Sequence, residues 1–375
     1  MNKVTQTLIT TSAIVLGWLF SVSVSADSAR WPALPEPVSN NAVAKVKVNG
    51  RDILLSFLGL GAGKGYEDIH NKAWKLELDK VNSQWQAIEP VPHANPIAGR
   101  LAAIAVGIDD QAYVFGGFTV DKKHHEVSTQ DNYRYDVRAN SYGRIADMPV
   151  AVDDVALVTY QNRYIYLLGG WHQHGNVNLV QVYDTLNNTW SQATPIPAPA
   201  VFGQAAGIVD NQLVLCDGVT VTPMLKQART FTASPVCLFG KIRRDNHLRI
   251  DWQLIPHYSV ATKQQGTTAQ QAVAHYRMAA TGAARQHQII FLGGSDNPYN
   301  YDGIGYNNLP SQASNRLYRF DLRRQQWLAP QQITTGSMDH RGLILYHGML
   351  LTVGGMVNPQ QVTNQVLATP LPRGR

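Results

Sequence analysis

The sequence predicts an all-β, six-bladed propeller, and three observations predict it. A hydrophobic strand ending in Gly-Gly recurs with a period of roughly fifty residues. Each copy is followed, a few tens of residues later, by an aromatic residue set in a short strand. The composition, 44% hydrophobic and 15% charged with 30 glycines and 19 prolines, suits many short strands joined by turns and excludes a disordered or helical chain. Clear copies are Tyr113-Val114-Phe115-Gly116-Gly117, Tyr166-Leu167-Leu168-Gly169-Gly170, Ile290-Phe291-Leu292-Gly293-Gly294 and Leu351-Thr352-Val353-Gly354-Gly355. Two degenerate copies, Phe57-Leu58-Gly59-Leu60-Gly61 and Val214-Leu215-Cys216-Asp217-Gly218, complete the six.

In chain order, the first element is a leader. Lys3, an apolar stretch over 8–20 and the small residues Val24-Ser25-Ala26 before Asp27 read as a secretory signal peptide over 1–26, leaving 27–375 as one domain. The apolar run is shorter than the roughly 18 residues that span a bilayer, so no membrane insertion of the mature chain is expected. The first cysteine is Cys216, so no lipid acceptor follows the cleavage site. A soluble periplasmic or secreted product is expected.

Next comes Arg30-Trp31-Pro32-Ala33-Leu34-Pro35, which matches the stretch after the outer strand of later units, as in Thr189-Trp190-Ser191-Gln192-Ala193-Thr194-Pro195. The sixth unit has strands at 342–346, 349–355 and 364–369 and then ends. The mature N-terminus is therefore expected to supply the missing outer strand and close the ring, which removes free sheet edges. Between these ends, alternation and turn signals place four strands in unit two (101–108, 111–117, 132–137, 142–146), unit three (155–160, 164–170, 179–184, 189–192), unit four (204–209, 212–218, 236–242, 251–255) and unit five (276–284, 288–294, 317–322, 326–328). The outer aromatics Trp85, Tyr142, Trp190, Trp252 and Trp327 are expected to wedge between blades. The paired glycines are expected to end their strands at a crowded point near the axis. Cys216 and Cys237 lie in consecutive strands of one unit and form either a disulfide or two buried thiols.

Formal charge is +6, and loss of Lys3 with the leader leaves about +5. On an exported chain this excess favours anionic small molecules, polysaccharides or envelope surfaces over nucleic acid, which is not an expected partner. Polar groups cluster where strands begin at the channel mouth: Arg100, Asp153, Asp154, Gln204, His275, Arg277, Asp339, His340 and Arg341. Such groups on apolar strands need partners or a ligand. The insertion after the fifth Gly-Gly, 295–315, carries Tyr299, Tyr301 and Tyr306 among Asn and Gly, which offers the flat faces and amides that a sugar requires. His172 and His174 form a pair without a placed third ligand, so no metal is expected, and no other cofactor is called for.

The Gly-Gly, Tyr and Trp pattern resembles Kelch repeats over the whole mature chain. Within these, the Leu58-Gly59-Leu60-Gly61 ending, Arg100 and the 295–315 insertion resemble the bacterial exported N-acetylneuraminate epimerases, or sialic acid mutarotases. That resemblance implies a periplasmic isomerase acting on an acidic sugar, with a glutamate after the fourth Gly-Gly-like strand as acid/base. Here Val219 holds the glutamate position. Asp217 lies two residues earlier, on the same face if the strand stays extended.

Three functions follow. In a mutarotase, His275, His340 and a carboxylate such as Asp217 or Asp339 exchange protons with the sugar, while Arg100, Arg277 and Arg341, with Asp339 and the three tyrosines, hold it. A non-catalytic glycan- or protein-binding module would use the same mouth without turnover. A copper radical oxidase would need a Tyr-Cys crosslink and a Tyr-His pair; Tyr346-His347 falls on an outer hairpin turn, and no such site assembles in the sequence.

Overall fold

A computed structural model describes residues 31–93, 98–123, 125–222, 229–261 and 272–372. The leader over 1–26 lies outside the described residues, as does His124 of the predicted Lys122-Lys123-His124-His125 rim. No helix among the described residues is long and apolar enough to cross a membrane.

Six antiparallel sheets stand around one axis. The first is built from Ala42–Val48, Arg51–Leu60, Ile69–Glu77 and Gln86–Ile88. The second is Ile104–Ile108, Gln111–Phe115, Asn132–Asp136 and Ser141–Ile145; the third is Ala156–Tyr160, Tyr164–Leu168, Val180–Asp184 and Thr189–Gln192. The fourth is Ala205–Val209, Gln212–Cys216, Cys237–Ile242 and Ile250–Ile255; the fifth is Ala279–Ala283, Gln288–Leu292, Arg316–Asp321 and Gln326–Trp327. The sixth has three strands among the described residues, Ile344–Tyr346, Met349–Val353 and Val366–Pro370. The first strand of every sheet lines the central channel.

The core is divided among the blade interfaces. One apolar cluster sits between each neighbouring pair, from Ala42, Phe57, Val114 and Tyr135 between blades one and two to Leu54, Trp85, Leu351 and Val353 between blades six and one. The outer tryptophans wedge here as the pattern requires, and each also reaches back. The Nε1–H of Trp190 donates to the Ala146 carbonyl (2.8 Å), and that of Trp327 to the Pro256 carbonyl (2.7 Å), each in the preceding blade. Burying most of an aromatic body while pairing its one donor is what makes Trp suited to this position.

Trp85 makes the same bond to the Pro32 carbonyl (2.9 Å), so the N-terminal segment sits where a preceding blade's outer strand ends. Leu34 N–H donates to the Asn364 carbonyl as Ile196 N–H does to that of Asn178 and Val91 N–H to that of Asn71. The Asn side chains return the bond to Leu34, Ile196 and Val91. Trp31 joins the cluster between blades six and one, edge-on to Tyr346. Trp31 aligns with Trp190 inside an outer strand, yet residues 31–38 form no ladder strand, so among the described residues the N-terminal segment closes the ring by packing and single hydrogen bonds and not by the expected fourth strand.

The paired glycines do not sit at the axis. Each pair is pressed against the segment that leads into the next blade: a Cβ on Gly116 would overlap the Val152 carbonyl, and one on Gly293 the Ser337 carbonyl. Both residues of each clear pair adopt positive φ, from 58° at Gly116 to 104° at Gly170.

Candidate functional site

Before its first strand, each blade has a short lead-in that makes one antiparallel bridge to the chain just past its own Gly-Gly: Ser39 with Leu60, Leu101 with Phe118, Asp153 with Trp171, Phe202 with Val219, Tyr276 with Ser295 and Met338 with Met356. The residue after each bridge is left-handed in all six blades. These are Asn40, Ala102, Asp154, Gly203, Arg277 and Asp339, with φ between 49° and 68°. The kink brings six chain segments far apart in sequence into a ring, in which the side chains of Asn40, Asp154, Arg277 and Asp339 meet.

Four charges meet in that ring. Arg277 contacts Asp154 and, through Nη1, Asp339 at 3.0 Å; Arg341 contacts Asp154 at 2.9 Å. Asn40 bridges the set, donating to Asp339 and accepting from Arg341. All five side chains are buried. Burial alone would favour the neutral acid, but the two guanidiniums hold the Asp154 carboxyl below its usual range. Its neighbour Asp153, bonded by Ser128 (2.8 Å), is pushed well above that range by burial and by the charge on Asp154. His340 also lines this end of the channel, bonds Ser337 (2.9 Å), and is lowered to about 3 by burial and the adjacent Arg341 charge.

The 295–315 insertion covers the ring. Tyr299 is fully buried, with its ring 5.3 Å from the Arg277 guanidinium and edge-on to Tyr276. Tyr301 packs against Leu60, Leu101 and Phe118 of blades one and two. Tyr306 stacks on Phe231 of blade four at 3.8 Å. Lys64 of blade one donates to the Asp302 carbonyl (2.8 Å), pinning the far edge of this lid.

Arg100 is brought to neither the ring nor the lid. Its buried guanidinium is bonded to the Asp131 carboxylate and to the carbonyls of Asp131 and Gly116. It ties the lead-in of blade two to that blade's third strand.

Asp217 and His275, by contrast, do meet. Asp217 stands where other blades have the first glycine and keeps its backbone conformation, with φ 66°. The strand therefore is not extended here, and the expectation that Asp217 and Val219 share a face fails. Val219 packs with Phe202 and Tyr276 beneath the lid, while Asp217 points into the gap between blades four and five. There its Oδ1 faces His257 Nε2 (2.6 Å), and its Oδ2 accepts from Tyr258 Oη and from the His275 backbone N–H (2.8 Å). Tyr258 Oη is also 2.9 Å from His275 Nδ1.

Counting hydrogens fixes both imidazoles. The single Tyr258 hydroxyl hydrogen goes to Asp217, so His275 Nδ1 is the donor to Oη and its Nε2 carries the lone pair. His257 Nδ1 accepts from Ser259 N–H (3.3 Å), so its Nε2 is the donor to Asp217. Burial lowers His275 and, with the Asp217 charge, raises Tyr258 well above its ordinary value. The result is a buried line of exchangeable protons, His257, Asp217, Tyr258 and His275, under the Cys216–Cys237 disulfide, whose Cα atoms are 4.2 Å apart. That disulfide occupies Cys216 and leaves no Tyr-Cys crosslink; Tyr346 and His347 lie at the other end of the channel.

Sequence reasoning missed His257 and Tyr258, which sit in the connection after the outer strand of blade four, outside the repeat. His172 and His174 lie with rings 5.5 Å apart, and no third ligand joins them among the described residues.

A profile of the N-acetylneuraminate epimerase family matches residues 31–176, and a Kelch-motif profile matches 156–197. The chain is a Kelch propeller that resembles the N-acetylneuraminate epimerases. Among curated proteins, N-acetylneuraminate epimerases of Salmonella enteritidis PT4 and Salmonella typhi are each 24% identical over 235 residues, 53% of this chain and 56% of theirs. The match thus spans about half the length of these relatives. Kelch-like protein 15 of Danio rerio is 27% identical over 167 residues, covering 44% of this chain and 26% of that protein. The solved structure of YjhT superposes with a TM-score of 0.65 over 91% of this propeller and 99% of that chain, at 16% identity, which establishes the shared fold.

Proposed function

We propose that this propeller is an exported enzyme that interconverts the anomers of sialic acid or a related acidic sugar. The observation that carries the reading is the proton line from His257 through Asp217 and Tyr258 to His275, in the blade where the resembling enzymes carry their catalytic glutamate. Ring opening needs a base for the anomeric hydroxyl proton and an acid for the ring oxygen. His275, neutral and with its Nε2 lone pair available, takes the proton; the imidazolium then delivers it to the ring oxygen. Asp217, acting through Tyr258 and the His275 backbone, steadies the positive charge as it forms, in the manner of a buried carboxylate behind a catalytic histidine. Asp296, His257 and Arg316 are the other groups whose fields reach His275. In this reading Arg277, Arg341 and Asp339 shape the floor under the lid, His340 stays neutral beside them, and Tyr299, Tyr301 and Tyr306 hold the lid in place.

One-dimensional proton NMR of freshly dissolved sialic acid tests the activity: anomer equilibration faster than the spontaneous rate is expected, and no acceleration rejects it. The His275→Gln variant is expected to lose about 100-fold in rate. Export is checked by the N-terminal residue of the secreted product, expected to be Asp27.

A second reading, a glycan-binding module without turnover, is favoured by the ion pairs of Arg277 and Arg341 with Asp154 and Asp339, which balance both guanidinium charges at the ring. Saturable sugar binding without acceleration would select it.

A further inference from the structure

The face opposite the lid carries a charge pattern that the proton line does not use. In blade four, the end of strand Cys237–Ile242 and the turn after it hold Lys241, Arg243, Arg244 and Arg249, all exposed. The blade-five turns at the same end add Arg285, Arg323 and Arg324, also exposed. Against these seven cations stand four carboxylates, Asp210, Asp245, Asp251 and Asp321, so the sector is net +3. That is more than half of the about +5 that remains beyond the leader.

Pairing within the sector is sparse. Arg243 meets Asp251 at 3.0 Å, and the other six cations form no ion pair among the described residues. Asp321 instead accepts from the backbone N–H groups of Arg323 and Arg324, whose guanidiniums stay unpaired. The excess is local. Blade two, across the axis from blade five, has Asp109, Asp110 and Asp136 in its turns, and its Arg138 is bonded to Asp110 at 2.9 Å.

Two further features belong to this face. An open cleft of about 600 Å³ lies between the turns of blades four and five, and four of the seven cations line it with His287 and three of the carboxylates. Beside the sector, the blade-three turn carries Leu186, 74% exposed. His247 of the blade-four turn stacks at 3.9 Å on Tyr164, whose strand partner Asp184 begins the Leu186 turn, so the leucine is held next to the cations. A discrete small anion is bound by donors that converge on one point. Here the unpaired cations are spread over the turns of two blades at one end of the propeller. A layer of lipid phosphates is the anion of that shape, and an exposed leucine beside the cations is the group that enters its apolar boundary.

We infer that this face docks on a membrane surface rich in anionic phospholipid, with headgroup phosphates at the blade-four and blade-five turns and in the cleft, and Leu186 at the acyl boundary. No part of the propeller crosses the bilayer in this arrangement. The lid faces away from the lipid, and the docking is independent of the sugar chemistry on the lid side.

Co-sedimentation of the full mature chain with vesicles tests this, comparing phosphatidylcholine alone with a mixture of about one third phosphatidylglycerol. Arg244→Glu with Arg323→Glu reverses two exposed charges at the cleft; Lys122→Glu with Lys123→Glu makes the same change in net charge on the lid face, where both are exposed. The expected result is binding to the phosphatidylglycerol vesicles that high salt removes, lost about tenfold or more with Arg244→Glu/Arg323→Glu and about threefold with Leu186→Ser. The lid-face pair is expected to leave binding unchanged, and all variants to keep the parent's melting temperature. No preference for phosphatidylglycerol over phosphatidylcholine overturns the inference. So does an equal loss from the lid-face pair, which would make net charge the cause, or tighter retention by an acidic polysaccharide such as polygalacturonate, which would assign the sector to a glycan. Sialic acid equilibration without vesicles is expected to be the same in Arg244→Glu/Arg323→Glu as in the parent, so failure of either reading leaves the other standing.

Discussion

The axial ring and the gap between blades four and five both bury carboxylates beside nitrogen bases, and they differ in what those bases can do. In the ring the bases are arginines. A guanidinium does not release its proton at any pH a protein survives, so Asp154, Arg277, Asp339 and Arg341 form a lock whose charges are fixed. In the gap the bases are imidazoles and the linker is a tyrosine, so every hydrogen between His257 and His275 can move. Similar burial gives structure in one place and proton exchange in the other, and the side-chain type decides which.

The comparison is broken most forcefully at Arg277. Arg277→Met leaves Asp154 and Asp339 buried with one guanidinium between them, and is expected to destabilise the fold by about 3–5 kcal/mol, read from urea unfolding. An unfolding midpoint close to that of the parent would mean that the ring is wetter than its burial indicates.

Asp217→Asn comes next. It keeps the shape of the gap but replaces a three-bond acceptor by an amide that must turn its NH2 toward one donor. A stability loss of about 1–3 kcal/mol and a rate loss of about 100-fold are expected together. Rate loss without stability loss would confine Asp217 to the chemistry; the converse would make the line a structural clasp like Arg100 and Asp131.

The pH dependence sharpens the contrast. His340 is neutral in the fold down to about pH 3, whereas the unfolded chain protonates it near 6.5. Between those values the unfolded state binds the extra proton, so this contribution is fully present above about 6.5 and is lost as pH falls toward 3. Denaturation curves across this window are expected to slope by up to about 1.4 kcal/mol per pH unit from this residue, and His340→Gln to flatten the slope. An unchanged slope would place the titration elsewhere. Smallest is Ala102→Gly. At φ 54° alanine is strained and glycine is not, so a gain of about 0.5–1 kcal/mol is expected in the same unfolding measurement.

Much of this was readable in the sequence because the propeller repeats. Trp31 could be matched to Trp190 by its neighbours alone, and the structure seats it by bonds that other blades also make. The lead-in residues were legible as polar groups at strand starts, but their partners were not. Arg100 and Arg277 look alike in the sequence, but Arg277 is itself the left-handed residue of its lead-in and reaches the axis, whereas Arg100 lies two positions before the equivalent residue, Ala102, and turns back into its own blade. His257 and Tyr258 were invisible for a different reason. They belong to a connection that no other blade copies, and they gain meaning only because Asp217 fills the space that a glycine leaves empty elsewhere.

The ring of six left-handed residues has a consequence for how such a molecule diversifies. Its backbone geometry is the same whether the occupant is Asn40, Ala102, Asp154, Gly203, Arg277 or Asp339, so the direction of the side chain is set independently of its chemistry. Ala102 and Gly203 carry no polar group on this dial. Gly203 is closed to such a change, because a Cβ there would overlap the Tyr276 ring, so of the two only Ala102 leaves the centre of the propeller open to a new side chain.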